Sequence, residues 1–241
     1  MTTFAIATLG CKVNAFESES YLESLVERGY FEVDFRERAD VYVINTCCVT
    51  NTATAKSRRR INQALRSNPS ALICVVGCYV QTHGDDLKKQ TGIDILVGAS
   101  GKSGLAQTID DAMQQRSLPY VHDIKDITTF EKLKVTRFQH HTRAYLKVQD
   151  GCDQFCAYCI IPYARGRERS LALHDVVDQA RLLSESHPEI VLAGIHTGRY
   201  GKEHGTDLTQ LVEDILHHAP ALKRIRISSI EVTEITDAFI A

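Results

Sequence analysis

The sequence lacks an apolar run able to cross a bilayer. Its longest mainly apolar stretch, residues 71–80, is about half of the ~20 residues a membrane helix needs. The first residues carry no basic segment followed by a long apolar core, so nothing there reads as a secretion signal. Charge of one sign is not in excess either. With 28 basic and 30 acidic side chains the formal net charge is -2, so no global field recruits nucleic acid and any such contact must use a local patch. Internal repeats are missing, which excludes a solenoid. At 241 residues, 44% apolar and 24% charged, the chain reads as a soluble cytoplasmic globular protein of one large or two modest domains, with no membrane partner.

Cysteine is abundant: eight residues, Cys11, Cys47, Cys48, Cys74, Cys78, Cys152, Cys156 and Cys159. A reducing cytosol keeps ordinary thiols open, and a core of this size needs no staples, so metal binding or catalysis outranks four disulfides.

Along residues 1–115 short apolar runs alternate with helical patterns: strands at 4–9, 41–45, 72–77 and 94–97, and helices at 17–28, 53–66, 85–90 and 105–114. This βα rhythm predicts a small doubly wound parallel-sheet domain with right-handed crossovers. Residues 116–141 have little periodicity and read as a constrained linker. Residues 142–241 repeat the rhythm, with strands at 144–149, 189–195 and 224–228 and helices at 171–186 and 208–218.

Cys11, Cys47 and Cys78 each follow a predicted strand. In a parallel sheet the carboxyl ends lie along one edge, where open α/β folds bind ligands, so three thiols distant in sequence converge and could hold a cluster. The plain alternative is that free cysteines are buried small hydrophobes. That alternative suits Cys74, which lies inside a strand. Cys48 adjoins Cys47, and side chains of neighbouring residues diverge, so Cys47 is expected to face the edge.

Cys152-x3-Cys156-x2-Cys159 places three thiols in eight residues directly after a predicted strand. Structural zinc prefers four ligands in paired spacing, and no fourth Cys or His follows promptly. An iron-sulfur cube held by three thiolates would keep one iron open to a substrate or cofactor.

The Cys-x3-Cys-x2-Cys triad with Tyr158 before its last member resembles the radical S-adenosylmethionine (SAM) superfamily. Leu9-Gly10-Cys11-Lys12-Val13-Asn14, Asn45-Thr46-Cys47 and Gly77-Cys78-Tyr79 resemble the N-terminal domain of the methylthiotransferases within it. Ile161-Pro162-Tyr163-Ala164-Arg165-Gly166, Gly194-Ile195-His196-Thr197-Gly198 and Arg226-Ile227-Ser228-Ser229-Ile230-Glu231 agree with that resemblance, which covers essentially the whole chain. It implies an α/β fold in which the doubly wound domain precedes the first part of a radical SAM β/α barrel. It implies two [4Fe-4S] clusters, one on Cys11, Cys47 and Cys78 and one on Cys152, Cys156 and Cys159, the latter binding SAM and yielding a 5′-deoxyadenosyl radical. Tyr158, Gly194 and Glu231 become cofactor contacts, and His196 lies at the barrel mouth, either touching cofactor or substrate or merely hydrogen-bonded. No residue is assigned as a catalytic acid or base.

The flanking motifs look most like the branch that acts on N6-threonylcarbamoyladenosine in tRNA, with isopentenyl-adenosine tRNA or a ribosomal-protein aspartate as alternatives. The expected partners are tRNA and an electron donor. Between residues 41 and 84 stand Lys56, Arg58, Arg59, Arg60 and Arg66 and no acidic residue, a local patch for phosphates or a solvated helix face. Outside enzymes, an iron-sulfur RNA-binding module or a redox sensor on Cys47 and Cys48 also accommodates the cysteines. A closed β/α barrel typically needs ~250 residues, so three strands read as the first part of a truncated one: a fragment, inactive alone, whose last strand offers an edge for association.

Overall fold

The computed structural model describes residues 1–114 and 123–240. Residues 116–122 of the predicted linker, Pro119 among them, lie outside the described residues.

Five parallel strands build the first sheet: β1 (Thr3–Thr8), β2 (Phe31–Glu32), β3 (Val41–Thr46), β4 (Leu72–Gly77) and β5 (Ile95–Val97), in the order β2-β1-β3-β4-β5. Helices α1 (Lys12–Glu27), α2 (Asn51–Ser67), α3 (Cys78–Lys88) and α4 (Leu105–Met113) connect them. Strand alternation sorts the side chains between two faces. Val41 and Val43 pack with Leu22, Leu25, Leu105 and Ile109 of α1 and α4, whereas Tyr42 and Ile44 pack with Ile61, Ala64, Val80 and Leu87 of α2 and α3. The sheet is therefore covered on both sides, as the doubly wound reading expects.

Two helices begin earlier than periodicity indicates. The first starts at Lys12 rather than near residue 17, and the third at Cys78 rather than residue 85. Gly10 and Gly77, at φ 100° and 98°, let the chain pass from strand to helix without a loop, a conformation that L side chains rarely adopt. The first turns of α1 escape the pattern for another reason. Asn14, Glu17 and Ser18 are polar and buried, because α1 is sandwiched between two sheets.

The second sheet is also parallel, β6 (Ala144–Lys147), β9 (Glu189–Ala193) and β10 (Arg224–Ile227), ordered β10-β9-β6. After Val148 the chain leaves β9. β7 (Gln149–Asp150) then pairs antiparallel with β8 (Arg169–Ser170), across the short helix α5 (Ile161–Arg165), so the strand predicted over 144–149 divides in two. Helices α6 (Leu173–Ser184) and α7 (Leu208–His218) cover the sheet. Phe16 of α1 joins this second core, together with Leu133, Val135 and Phe138 from the segment read as connector. Glu23 of α1 accepts the backbone N–H groups of Thr136 and Arg137, and Glu19 accepts that of Gln139. Residues 133–139 are thus strapped to both layers. β10 lies at the sheet edge with alternating exposure.

Candidate functional site

The carboxyl edge of the first sheet gathers three cysteines. Cys11 stands immediately before α1, Cys47 follows β3, and Cys78 opens α3. Backbone ties hold them. Ser57 Oγ accepts from the Cys47 N–H at 3.1 Å and donates to its carbonyl at 2.9 Å. Asn14 Nδ2 donates to the carbonyls of Leu9 and Thr46 at 2.7 and 3.0 Å, joining two strand exits. A Cβ at Gly10 would sit 2.8 Å from Cys47 Cβ, and one at Gly77 would sit 2.8 Å from the Thr46 carbonyl oxygen. Only glycine at both positions leaves room for the turn. Burial pushes the Cys47 thiol pKa up, and the nearby sulfurs of Cys78 and Cys11 push in the same direction.

Cys48 is buried as well, packed among Ile61, Val75 and Val80. Burial raises its thiol to about 11. Cys74 is fully buried in mid-strand, and desolvation raises its thiol far above the ordinary range. Both thiols are protonated core residues at neutral pH.

Cys152, Cys156 and Cys159 lie on the loop that follows β7, with Cys156 exposed and the other two half-buried. Gly151, at φ 73°, opens this loop, and a Cβ there would meet the Arg167 carbonyl oxygen at 1.9 Å. Replacing Gly151 by alanine should therefore cost about 1–3 kcal/mol from the backbone conformation alone. Denaturant titration checks this, and an unchanged midpoint would contradict the close approach. The Cys152 thiol is raised by burial and then by the neighbouring Cys159 and Cys156. Among the described residues, no three His, Cys, Asp or Glu side chains are arranged to hold a single metal ion.

Beside the loop lies a cavity of about 490 Å³ whose lining includes Cys156, His196, Arg199, Glu231 and Glu234. His196 Nδ1 is 3.8 Å from Cys152 Sγ, and its Nε2 is 2.6 Å from Glu234 Oε1. The backbone N–H groups of Ile195 and His196 both donate to Gln149 Oε1, which shapes the turn after β9. Gly194 fits tightly into that turn, where a Cβ would come within 2.9 Å of Thr197 Oγ1 and 3.0 Å of Gln149 Oε1. Glu231 forms a reciprocal cap with Glu234 over residues 231–234. Tyr158 is 92% exposed and points away from the core.

A cluster of buried charge joins the two regions, and sequence patterning gave no sign of it. Glu17 accepts from Arg165 Nη1 at 2.6 Å, Lys102 Nζ at 2.7 Å and Lys147 Nζ at 3.0 Å. Asp150 contacts Lys147, Arg165 and Arg169 at 2.7, 3.3 and 3.3 Å. Burial works to raise the Glu17 pKa, yet the charges of Arg165, Lys102 and Lys147 hold it far below the carboxylate range. Asp150 is likewise depressed against its desolvation by Lys147, Arg165 and Arg169.

On the basic helix α2, Lys56, Arg58, Arg59 and Arg66 are exposed. Arg60 lies over the Phe35 ring and donates to Gln63, so four side chains rather than five are presented to solvent.

Residues 3–98 match the family described as "Uncharacterized protein family UPF0004". The whole chain is 44% identical to the threonylcarbamoyladenosine tRNA methylthiotransferase MtaB of Bacillus subtilis, covering 54% of that protein. It is 36% identical to the protein of the same name from Aquifex aeolicus over 95% of the chain and 56% of the relative. A tRNA-2-methylthio-N(6)-dimethylallyladenosine synthase of Clostridium botulinum is 32% identical over 97% of the chain and 54% of the relative. The chain spans about half the length of the curated relatives it matches. Among solved structures, the radical S-adenosylmethionine methyltransferase TsrM from Kitasatospora setae, with cobalamin and a [4Fe-4S] cluster bound, superposes with a TM-score of 0.58. That match has 14% identity and covers 92% of this chain and 52% of TsrM, a likeness of fold.

Proposed function

We propose that the chain belongs to the methylthiotransferase family of radical SAM enzymes, as its 44% identity to the Bacillus subtilis relative supports, and that it supplies the cluster-binding portion of an enzyme adding a methylthio group to N6-threonylcarbamoyladenosine in tRNA. Residues 1–115 act as the sulfur-handling domain, 116–141 as the tie between the layers, and 142–241 as the first strands of the radical SAM barrel. Cys11, Cys47 and Cys78 hold one [4Fe-4S] cluster, and Cys152, Cys156 and Cys159 hold the other. Gly194 and Glu231 lie toward the SAM side, and Tyr158 covers the adenine. The work is done in the cytoplasm, with tRNA as substrate and an electron donor as partner.

The observation carrying this reading is the convergence of Cys11, Cys47 and Cys78 at one sheet edge, beside glycines whose Cβ positions are already filled. An iron-sulfur cube takes thiolates at separate corners, so it does not require the tight ligand packing of a single ion. Four buried cations, Lys102, Lys147, Arg165 and Arg169, face two buried carboxylates, Glu17 and Asp150. That excess suits thiolates and the anionic cluster they would hold. The clusters and SAM supply radical chemistry and the methyl group when bound. This chain's residues position them: Gln149 orders the turn carrying Gly194 and His196, and Ser57 and Asn14 hold the strand exits bearing the first triad. The exposed cations of α2, directly after Cys47 and Cys48, can neutralise RNA phosphates, which makes affinity fall with salt.

Anaerobic reconstitution tests the reading. Two four-iron clusters per chain are expected, with SAM altering the spectrum of one of them. One zinc and no iron would overturn it. In cells lacking their own enzyme, the protein extended to the length of its relatives should yield the 2-methylthio derivative of threonylcarbamoyladenosine by nucleoside mass spectrometry. Product on isopentenyl-adenosine alone would overturn the choice of substrate.

A further inference from the structure

The side chain that connects the two triads is Arg165. It ends α5, six positions after Cys159, and its side chain is 1% exposed. Its guanidinium reaches from α5 into the edge of the first sheet. Nε donates to Cys78 Sγ at 3.1 Å, Nη2 to Asn14 Oδ1 at 2.5 Å and Nη1 to Glu17 Oε1 at 2.6 Å, while Asp150 lies 3.3 Å from Nη1. Three of these four partners belong to the first layer. Asn14 is also the side chain that ties the exits of β1 and β3, so the fork touches both a thiol of the triad and the clasp that holds it.

We infer that Arg165 is a positioning residue: it fixes the Cys152–Cys159 loop against the Cys11–Cys47–Cys78 triad and, by its N–H donation to Cys78 sulfur, raises the reduction potential of the cluster held there. The inference rests on the proposed function in taking both triads as cluster ligands. A hydrogen bond to a ligand sulfur stabilises the added electron, and so does a neighbouring positive charge in a dry site. A planar guanidinium holds its donors in fixed directions, spread widely enough to meet Cys78, Asn14 and Glu17 together; a lysine is a point charge on a flexible stem. The buried network carries four cations against two carboxylates, and Arg165 brings that excess positive charge to within 3.1 Å of Cys78 Sγ. Because only five residues separate Cys159 from Arg165, movement of this anchor is passed to the second triad.

The test uses the full chain carrying Cys152→Ala, Cys156→Ala and Cys159→Ala, so that a single cluster signal remains. Arg165→Gln and Arg165→Lys are added to this background, and each protein is reconstituted with iron and sulfide. Iron content and the midpoint potential are then measured by redox titration followed by electron paramagnetic resonance. The expected result is unchanged iron, a more negative potential in Arg165→Gln, and an intermediate value in Arg165→Lys, which keeps charge and loses the fork. Equal iron with an unshifted potential in both variants overturns the inference. If Arg165→Gln does not take up iron, Arg165→Lys decides by the same criterion. A background protein that binds no iron overturns the cluster reading itself, and the role of Arg165 with it.

Discussion

Replacing Glu17 by alanine should destabilise the protein by about 3–5 kcal/mol, the usual cost of removing one partner from a buried ion pair. Glu17 is fully buried and is the acceptor shared by Lys102, Lys147 and Arg165. Without it three cations face one another with Asp150 as their nearest carboxylate. The loss is therefore uncompensated charge rather than lost packing. For a chain of this size, roughly 2–4 °C of melting temperature follow each kcal/mol, so a fall on the order of 10 °C is expected. Urea unfolding checks it, and a change under 1 kcal/mol would mean that the network contributes little.

The same residue sets an acid dependence. The folded Glu17 pKa lies far below that of the unfolded chain, held there by Arg165, Lys102 and Lys147 against burial and against the charge of Asp150. Its stabilisation is thus complete above the unfolded value of ~4.3 and is lost as pH falls toward the folded one. Glu17→Gln should flatten the decline of stability below about pH 4.5. Parallel wild-type and variant profiles across that range would contradict the assignment.

Cys156→Ala should lose the iron of one cluster and all SAM cleavage while the cluster on Cys11, Cys47 and Cys78 remains. The first triad is borne by strand exits of the five-stranded sheet, and Cys156 sits on an exposed loop beyond β7, so the two depend on different backbone. Cys74→Ala and Cys48→Ala should keep full iron, because Cys74 lies in mid-strand and the Cys48 side chain, diverging from that of Cys47, packs among Ile61, Val75 and Val80. Iron and sulfide analysis with a SAM cleavage assay decides. Loss of both clusters in Cys156→Ala would overturn their independence, and loss of half the iron in Cys48→Ala would make Cys48 the ligand in place of Cys47.

Much of the layered architecture was readable because strands and helices carry local periods. The alternation of Val41, Tyr42, Val43 and Ile44 divides them between two faces, and the predicted strands of the first sheet appear within a residue or two of their places. Periodicity failed where burial is not apolar. Asn14, Glu17, Ser18 and Glu19 are polar, yet all four are buried, and polar burial leaves no apolar period to read. α5 was missed because five residues are too short to display a period. The capping pair of Glu231 with Glu234, and the contact between Glu234 and His196, depend on a turn whose shape the residue types do not announce.

Local pattern was enough for the alternating βα order, the placing of Cys11, Cys47 and Cys78 at strand ends, and the spacing of Cys152, Cys156 and Cys159. Each is a property of neighbours within a few positions, or of the rule that parallel strands present their carboxyl ends together. That Arg165 meets Glu17 across 148 positions of chain and Cys78 across 87 follows from packing in three dimensions. Buried charge is stable only where opposite charge and hydrogen-bonding partners surround it, and those partners are assembled by packing the two sheets on α1, not by any local pattern.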